Sequence, residues 1–556
     1  MAQQSARAIA PTLLRLISVS PRVIQESTLV RRLPILLLAF VAAVGAAPGA
    51  AAAPARAATQ PGRPNILFVL TDDLDAAELH WMPFTRHLIG AAGVTFDNYF
   101  VSNSLCCPSR VTTLRGQYAH NTAVWTNGGT NGGFEEAHER GIEDDTVATR
   151  LFGDGYRTAL VGKYLNGYPD TVSASYVPLG WTTWVSPVAG HPYGEYRYVL
   201  NDNLRFVAHG AAPRDYGTDV YVRRTQHFIH TAVHAHRPFF AYLAPYAPHQ
   251  PATPAPQDVA KFPRARVPRD VAYNQADVSA MPQFVQDLPR FSREERTAID
   301  ELYRLRLRSL QAVDRGVRAL VHTLRMTHQL DNTYVVFTSD NGFHLGQHRL
   351  PAGKQTAYDT DIHVPFLVRG PGITPGSHVA RLTGNLDLAP TFEAMAGVSP
   401  PGFTDGRSLL GLAQGRAPRA WRSAYLIEHR NETGVSVPRA RHRSLPLEPA
   451  DPDQAGIVHH HPWPRVDGHL LEPRDKGVLA RHAPIPDYDA VRTADHLYVE
   501  YANGDRELYD TRTDPLEVHN LAGTRPRIER SLAAQIRRLQ HCAGVDCRIA
   551  DSSRAT

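Results

Sequence analysis

The sequence predicts an α/β domain followed by a smaller α+β domain, and three observations carry that reading. From Arg63 onward, short continuous apolar runs alternate with helical patterns, which is how strands buried on both faces and their crossover helices read. Nearly all of these runs end in polar or charged residues. After about Leu412 the pattern changes, and the last strand-like runs alternate in character and are followed by an amphipathic helix. At 556 residues the chain exceeds one ordinary domain.

The first segment is a leader, not part of the fold. Arg31 and Arg32 precede "LPILLLAFVAAVGAA", a run too short to span a bilayer comfortably, and alanine-rich A-x-A-like sites follow. Residues 1–58 are therefore expected to be a signal peptide, with a twin-arginine signal or a retained anchor as alternatives. No later stretch is long and apolar enough to cross a membrane, so the mature chain is expected to be secreted and free of the membrane. A net charge of +5 with no charged block is too weak to indicate a nucleic-acid partner, and none is expected.

The α/β domain is expected over 63–412. Its strands are "NILFVL" (65–70), "TALVG" (158–162), "FFAYLAP" (239–245), "YVVFTSDNG" (334–342) and "PFLVRGPG" (365–372). Ligands gather beyond the carboxyl ends of strands in open α/β sheets, so the polar residues at those ends read as one site assembled from distant segments. Ser292 with Glu295 forms a capping box, and Ile299, Leu302, Leu310, Val313, Val317, Leu320 and Leu324 then recur at helical spacing. The proline-rich stretch 245–289 reads as a long loop with a binding or lid role. The smaller domain is expected over 413–549, with a hairpin around Asn503-Gly504 and a last helix near 525–540.

Four cysteines divide into two kinds. Cys542 and Cys547 sit five apart, where a small disulfide loop is expected in an exported chain. Cys106 and Cys107 are adjacent and poorly placed to bridge each other, so at least one looks retained for chemistry. Asp72 and Asp73 end one apolar run, and Asp340 and Asn341 end another. Paired carboxylates repel unless a positive charge lies beside them, and a hard divalent cation takes oxygen ligands of this kind. Helix caps and solvent-facing acids are the plainer explanation of each pair taken alone. The three histidines at 459–461 lack an acid or cysteine at ligand spacing and read as solvated.

Cys106 followed by Pro108, Ser109 and Arg110 resembles the sulfatase signature C-x-P-S-R. "NILFVLTDDLD", "GKYLN", "APYAPHQP", "TSDNG" and "LPAGKQTAYDTDIHVPFLVRGPGI" extend the resemblance across most of 63–412. The resemblance implies an alkaline-phosphatase-like fold, with a large mixed sheet flanked by helices. It implies that a formylglycine-generating enzyme oxidises Cys106 to formylglycine, whose hydrate is the nucleophile. It further implies metal ligation by Asp72, Asp73, Asp340 and Asn341 with an oxygen at position 106, calcium being expected in preference to magnesium. Arg110, Lys163, His249 and Lys354 then hold the sulfate oxygens and assist the leaving group, roles that suit cations and an imidazole.

Two departures stand out. Leu165 occupies a position where many sulfatases have histidine, and His363 replaces the usual arginine before "VP". Together with "LCCPSR", "GKYLN" and "VPLGW", these are similar to the branch of N-acetylglucosamine-6-sulfatases and extracellular heparan endosulfatases. The missing histidine leaves the leaving-group acid open, with His249 first and His344 or a substrate-bound water behind it. Asp359, Asp361 and His363, with His344, are candidates to meet a sugar's hydroxyls. The expected substrate is a sulfated carbohydrate or an aryl sulfate. A phosphomonoester or phosphonate esterase on the same scaffold is one alternative, and a non-catalytic glycan-binding protein with unmodified Cys106 is another.

Overall fold

A computed structural model describes residues 62–432, 465–466, 469–470 and 485–552, all within one compact unit, Thr59–Thr556. The expected leader and the three consecutive histidines lie outside the described residues.

The centre is a ten-stranded mixed sheet. In chain order its strands are β1 (Asn65–Thr71), β2 (Val94–Phe96), β3 (Arg157–Gly162), β4 (Thr183–Gly190), β5 (Tyr198–Asp202), β6 (Arg205–His209), β7 (Phe239–Ala244), β8 (Thr333–Ser339), β9 (Leu367–Arg369) and β10 (Ser377–Val379). Across the sheet they lie in the order β10-β2-β9-β8-β1-β7-β3-β4-β5-β6. The four strands β8, β1, β7 and β3 are mutually parallel neighbours, with Ile66 opposite both Tyr334 and Phe240. Every residue of β1 is buried, and alternation sends its side chains to two sides. Ile66, Phe68 and Leu70 join one hydrophobic cluster, whereas Leu67 and Val69 join another. That double burial is why the run is continuously apolar.

Helices cover both faces. The first of note, α1 (Cys106–Arg115), carries the signature cysteine at its first position. On the other face α2 (Gly217–His234) packs beside α3 (Arg293–Met326). The expected capping box starts α3, with Ser292 N donating to Glu295 Oε2 at 2.7 Å and Glu295 N to Ser292 Oγ at 3.2 Å. A cap of this kind contributes about 1 kcal/mol.

One strand corrects the sequence expectation. β9 pairs antiparallel with β8. Its carboxyl end therefore lies at the opposite edge from Asp340, and the polar residues that approach the site from this segment precede the strand. The stretch 245–289 is irregular as expected, yet Ala252, Val267, Ala272, Tyr273, Val278, Met281 and Phe284 are buried within it.

Beyond residue 412 a separate four-stranded antiparallel sheet forms from β11 (Tyr425–His429), β12 (Tyr488–Arg492), β13 (His496–Tyr501) and β14 (Arg506–Asp510), in that order. β13 and β14 make the hairpin around Asn503-Gly504. A helix, α4 (Pro526–Leu539), buries Leu532, Ala533, Ile536 and Leu539. Cys542 and Cys547 are disulfide-bonded. A single hydrophobic cluster runs from Phe68 through Tyr425 and Tyr509 to Ile536, so this sheet shares its core with the larger one.

Candidate active site

The carboxyl ends of the four parallel strands deliver their next residues to one place. Asp72 and Asp73 follow β1, Lys163 follows β3, His249 lies five residues past β7, and Asp340 and Asn341 follow β8. Asp73 N donates to Asp340 Oδ1 at 3.2 Å, joining two segments 267 residues apart. Asp73 itself adopts φ +68°, a left-handed backbone that aspartate tolerates better than most residues. Gly342 ends the "SDNG" turn because a Cβ there would lie 2.2 Å from the Thr360 carbonyl oxygen.

Cys106 meets this cluster from the N-terminus of α1. Its Sγ lies 3.2 Å from Asp72 Oδ1, 4.0 Å from Asp73 Oδ1 and 2.9 Å from Lys354 Nζ. Lys163 Nζ is 2.8 Å from Asp72 Oδ2, and Lys354 Nζ is 2.7 Å from Asp73 Oδ1. Arg110, one turn into α1, donates through Nε to Asp340 Oδ2 at 2.8 Å and through Nη1 to the Lys163 carbonyl at 3.0 Å. His249 Nε2 is 3.6 Å from Asp73 Oδ2. Its Nδ1 lies 2.7 Å from the Gln250 carbonyl, which can only accept, so Nδ1 carries a proton and Nε2 faces the cluster. Cys106, Asp72, Asp73, Asp340 and Asn341 are wholly buried.

The electrostatics are those of opposed charges out of water. Burial works against the ionised form of Asp72, but Lys163, His249, Arg110 and Lys354 overcome it and hold the carboxyl below its usual range. Asp73 is likewise lowered against burial, by Lys354 and His249. Burial, aided by the Asp72 charge, pushes Asp340 up to about 6. The Cys106 thiol is pushed well above its ordinary range by burial and then by Asp72. Burial likewise raises Cys107 to about 12, and its backbone N–H caps on Asn127 Oδ1.

The donor set fits a hard cation. Asp73 Oδ2 and Asn341 Oδ1 are buried oxygens without a hydrogen-bond partner, and both border the shared hollow with Asp72 and Asp340. Orphaned buried acceptors are costly, and a cation with six to eight oxygen ligands would satisfy them. Asp72, Asp73, Cys106 and His249 each offer an atom within 4.8 Å of the others.

The four residues expected to meet a sugar fare differently. Asp361 is wholly buried, with Oδ2 accepting from Thr356 N at 2.9 Å and from Thr356 Oγ1 at 2.6 Å. Its Oδ1 lies 2.9 Å from His344 Nδ1, so it fixes that imidazole. Asp359 is forked on Arg492 at 3.0 and 3.1 Å. His363 reaches the Asp97 carbonyl at 3.0 Å and stands against the Phe100 ring. These three tie the site's wall to neighbouring segments. Nearby in residues 426–432, Arg430 is forked on Asp489 and Asn431 is bonded to Asp487.

Sequence reasoning missed two contributors. Tyr193 sits under the Lys163 ammonium at 4.9 Å, against the His249 ring at 4.6 Å, and accepts from Asn166 Nδ2 at 3.2 Å. No local pattern marks it. Arg306 is wholly buried in α3, where Nη2 donates to the Asp73 carbonyl and the guanidinium forks on Glu78. A signal was present for this one: 306 falls on the apolar stripe between Leu302 and Leu310.

The sheet order, with the cluster beyond the carboxyl ends of its parallel strands, is that of the alkaline-phosphatase-like fold. The family model described as Sulfatase matches residues 64–398. The chain is 33% identical over 501 residues to a human N-acetylglucosamine-6-sulfatase, covering 87% of this chain and 86% of the other. It is 34% identical over 538 residues to an arylsulfatase of Volvox carteri, covering 90% and 77%. Among solved structures, one in complex with its substrate D-glucosamine-2-N,6-O-disulfate superposes with a TM-score of 0.65 at 21% identity, over 88% of this chain and 99% of the other. A phosphonate monoester hydrolase from Silicibacter pomeroyi gives 0.58 at 23% identity, over 85% and 94%. The chain belongs to the sulfatase family and is a sulfuric ester hydrolase. Among the described residues no helix is long and apolar enough to cross a membrane.

Proposed function

We propose that the protein is an exported sulfatase that removes a sulfate monoester from a sulfated sugar, the 6-O-sulfate of an N-acetylglucosamine unit being the first choice. The observation that carries this reading is the position of Cys106 Sγ, 3.2 Å from Asp72 Oδ1 and 2.9 Å from Lys354 Nζ, beside two orphaned carboxyl and amide oxygens. The 33% identity to the human enzyme over most of both chains supports the sugar position. Similarity to the Volvox arylsulfatase supports a second reading, broad action on aryl sulfates.

In this reading Asp72, Asp73, Asp340 and Asn341 hold a divalent cation, calcium by its liking for many oxygen ligands, and Cys106 is matured to formylglycine. The matured side chain supplies a hydrated aldehyde as nucleophile, and the cation supplies charge that makes its hydroxyl more acidic. The chain's own residues do the rest. Lys163, Lys354 and Arg110 converge on the hollow, where they hold the anionic sulfuryl group in place and stabilise its charge as the departing oxygen takes up negative charge. His249 turns Nε2 toward the same hollow, where in its imidazolium form it can give a second proton to the departing sugar oxygen, while Nδ1–H donates to the Gln250 carbonyl and fixes the ring. Tyr193 keeps Lys163 and His249 at their separation.

Mass spectrometry of the peptide 103–110, with turnover of N-acetylglucosamine-6-sulfate, 4-nitrocatechol sulfate and 4-nitrophenyl phosphate, tests the proposal. A mass loss matching thiol-to-aldehyde conversion and preference for the sugar sulfate are expected. An intact thiol in active protein, or faster phosphate cleavage, would overturn it.

A further inference from the structure

Away from the catalytic cluster the surface opens into a groove of about 570 Å³ whose lining carries six arginines, Arg266, Arg269, Arg290, Arg293, Arg296 and Arg304. Only one carboxylate, Asp300, lines it. That acid is already engaged, accepting from Arg269 at 2.7 Å and from the Val267 N–H at 3.1 Å. Arg304 is paired with Glu301 outside the lining. Glu294 lies near Arg293 and Arg296 but turns to the cap at Ser292. Among the described residues, Arg266, Arg290, Arg293 and Arg296 form no ion pair, and all four are exposed.

Like charges gathered this closely repel, and a chain-wide net charge of only +5 makes the concentration local, not general. The first turns of α3 point into the same groove through Arg293, Arg296 and Thr297, so the helix dipole adds to the positive field. Arg349 extends the field: its guanidinium is held by the carbonyls of Gln275, Leu288 and Ala276, and it feels the charge of Arg290. The floor offers a flat ring, Tyr273, with Arg269 stacked at 3.9 Å.

The groove is tied to the catalytic cluster by two rigid connections. Arg306, which donates to Asp73, lies on the same helix as Arg296, about 15 Å further along the axis. Asn274 N donates to the Gly346 carbonyl at 2.7 Å, and Tyr273 bridges Gln347, in the segment that leads to Lys354. Gly346 has no room for a side chain there, since a Cβ would lie 2.7 Å from the Tyr273 ring.

We infer that this groove is a second anion-binding site, which takes the sulfated sugars of a polysaccharide chain beyond the unit being hydrolysed. The ligand class rests on the reading of the active site as a glycan sulfatase; the anion preference rests on the arginines alone. Guanidinium groups suit sulfate because they present planar pairs of N–H donors, and several weakly paired ones along a groove match a repeating polyanion better than a single ester. A substrate that reaches both places gains affinity through the second without any change in the chemistry at the first.

The test is titration of a heparin-derived dodecasaccharide, and of the matching disaccharide, into full-length protein carrying Cys106→Ala, so that neither turnover nor maturation enters. The dodecasaccharide is expected to bind more tightly than the disaccharide. Adding Arg290→Gln, Arg293→Gln and Arg296→Gln together is expected to weaken it about tenfold and to flatten its salt dependence, with the disaccharide unaffected. Arg296→Glu alone, checked by circular dichroism for an intact fold, is expected to act in the same direction. In otherwise wild-type protein the triple variant is expected to raise KM for the polymer while leaving kcat and 4-nitrocatechol sulfate turnover unchanged. Equal dodecasaccharide affinity and equal salt dependence in the parent and both variants would overturn the groove. Failure of the wild-type protein, with Cys106 in place, to cleave any sulfate ester, with groove-dependent binding intact, would sink the active-site reading and leave the groove standing.

Discussion

Arg306, buried midway along a helix of 34 residues, donates through Nη2 to the backbone carbonyl of Asp73, the residue whose left-handed backbone aims its carboxylate into the catalytic hollow. The same guanidinium lies 3.0 Å from Glu78 Oε1, 2.6 Å from Glu78 Oε2 and 4.5 Å from the centre of the Phe343 ring. A rigid fork is therefore spent on holding the backbone of Asp73.

Replacing Arg306 by Lys keeps the charge and loses the fork. Calcium affinity is expected to fall about 10- to 100-fold, with kcat largely restored at saturating calcium. Arg306→Met leaves Glu78 buried without its partner and is expected to cost about 3–5 kcal/mol of stability. Calcium titration of activity and thermal melts check both, and unchanged calcium dependence in the Lys variant would remove the positioning role.

Lys354 touches both Asp73 and the Cys106 sulfur. Lys354→Met is expected to lower kcat about 10²- to 10³-fold for sugar and aryl sulfates alike, because the lost charge faces the sulfuryl group common to both. Steady-state kinetics with two leaving groups decide it; a loss confined to one substrate would assign Lys354 to recognition instead.

Metal removal is expected to act on stability as well as on rate. Asp73 Oδ2 and Asn341 Oδ1 are stranded without a cation, so chelated protein should melt lower, and calcium at a hundredfold excess over Kd should return about 2.7 kcal/mol. Differential scanning calorimetry reads the shift, which Asn341→Leu is expected to shrink.

The pH dependence of stability has an identifiable source. His120 Nδ1 lies 2.7 Å from Glu428 Oε1 and its Nε2 lies 2.9 Å from the Cys542 carbonyl, joining the main sheet's domain to the smaller sheet. Burial works against its charge, but Glu428 more than overcomes this and raises the imidazole to about 9. Because the folded value is above the unfolded one, the contribution is fully present below about 6.5, shrinks as pH rises from there, and is gone once pH passes about 9. Urea melts across that window should show falling stability, and His120→Gln should flatten the fall.

Arg422 is wholly buried between two carboxylates, donating through Nη2 to Asp387 at 2.7 Å and through Nε to Asp551 at 3.0 Å. Arg422→Ala is expected to cost about 3–5 kcal/mol, since it leaves buried Asp387 without its guanidinium, whereas Asp551 keeps Arg407. Chemical denaturation checks this, and a loss below 1 kcal/mol would show that solvent reaches the pair.

The parts of this molecule that follow from residue period were legible beforehand. A continuous apolar run such as "NILFVL" has one physical explanation, a strand covered on both faces, and the acids after it had to sit at a strand end. Strand direction was not legible: nothing in "PFLVRGPG" distinguishes parallel from antiparallel pairing, and the antiparallel course of Leu367–Arg369 is set by the connection that precedes it. Nor was the internal bonding of Asp361, because an acid's partners depend on tertiary neighbours such as Thr356 and His344. Arg306 was visible as a charge on an apolar stripe, whereas Tyr193 reaches the site from a short turn with no periodic mark. The arginine groove escaped notice because averaging over the whole chain dilutes a charge gathered on one helix end and two loops.

The complete enclosure of Cys106 sets an order of events. Its sulfur is shut in by side chains from strands that become neighbours only when segments more than two hundred residues apart have paired. A catalyst acting on this side chain has to reach it, and in the folded chain Cys106 is wholly buried. On the proposed reading, conversion of Cys106 therefore comes before these segments close over it, and protein folded with the thiol intact is expected to stay inactive.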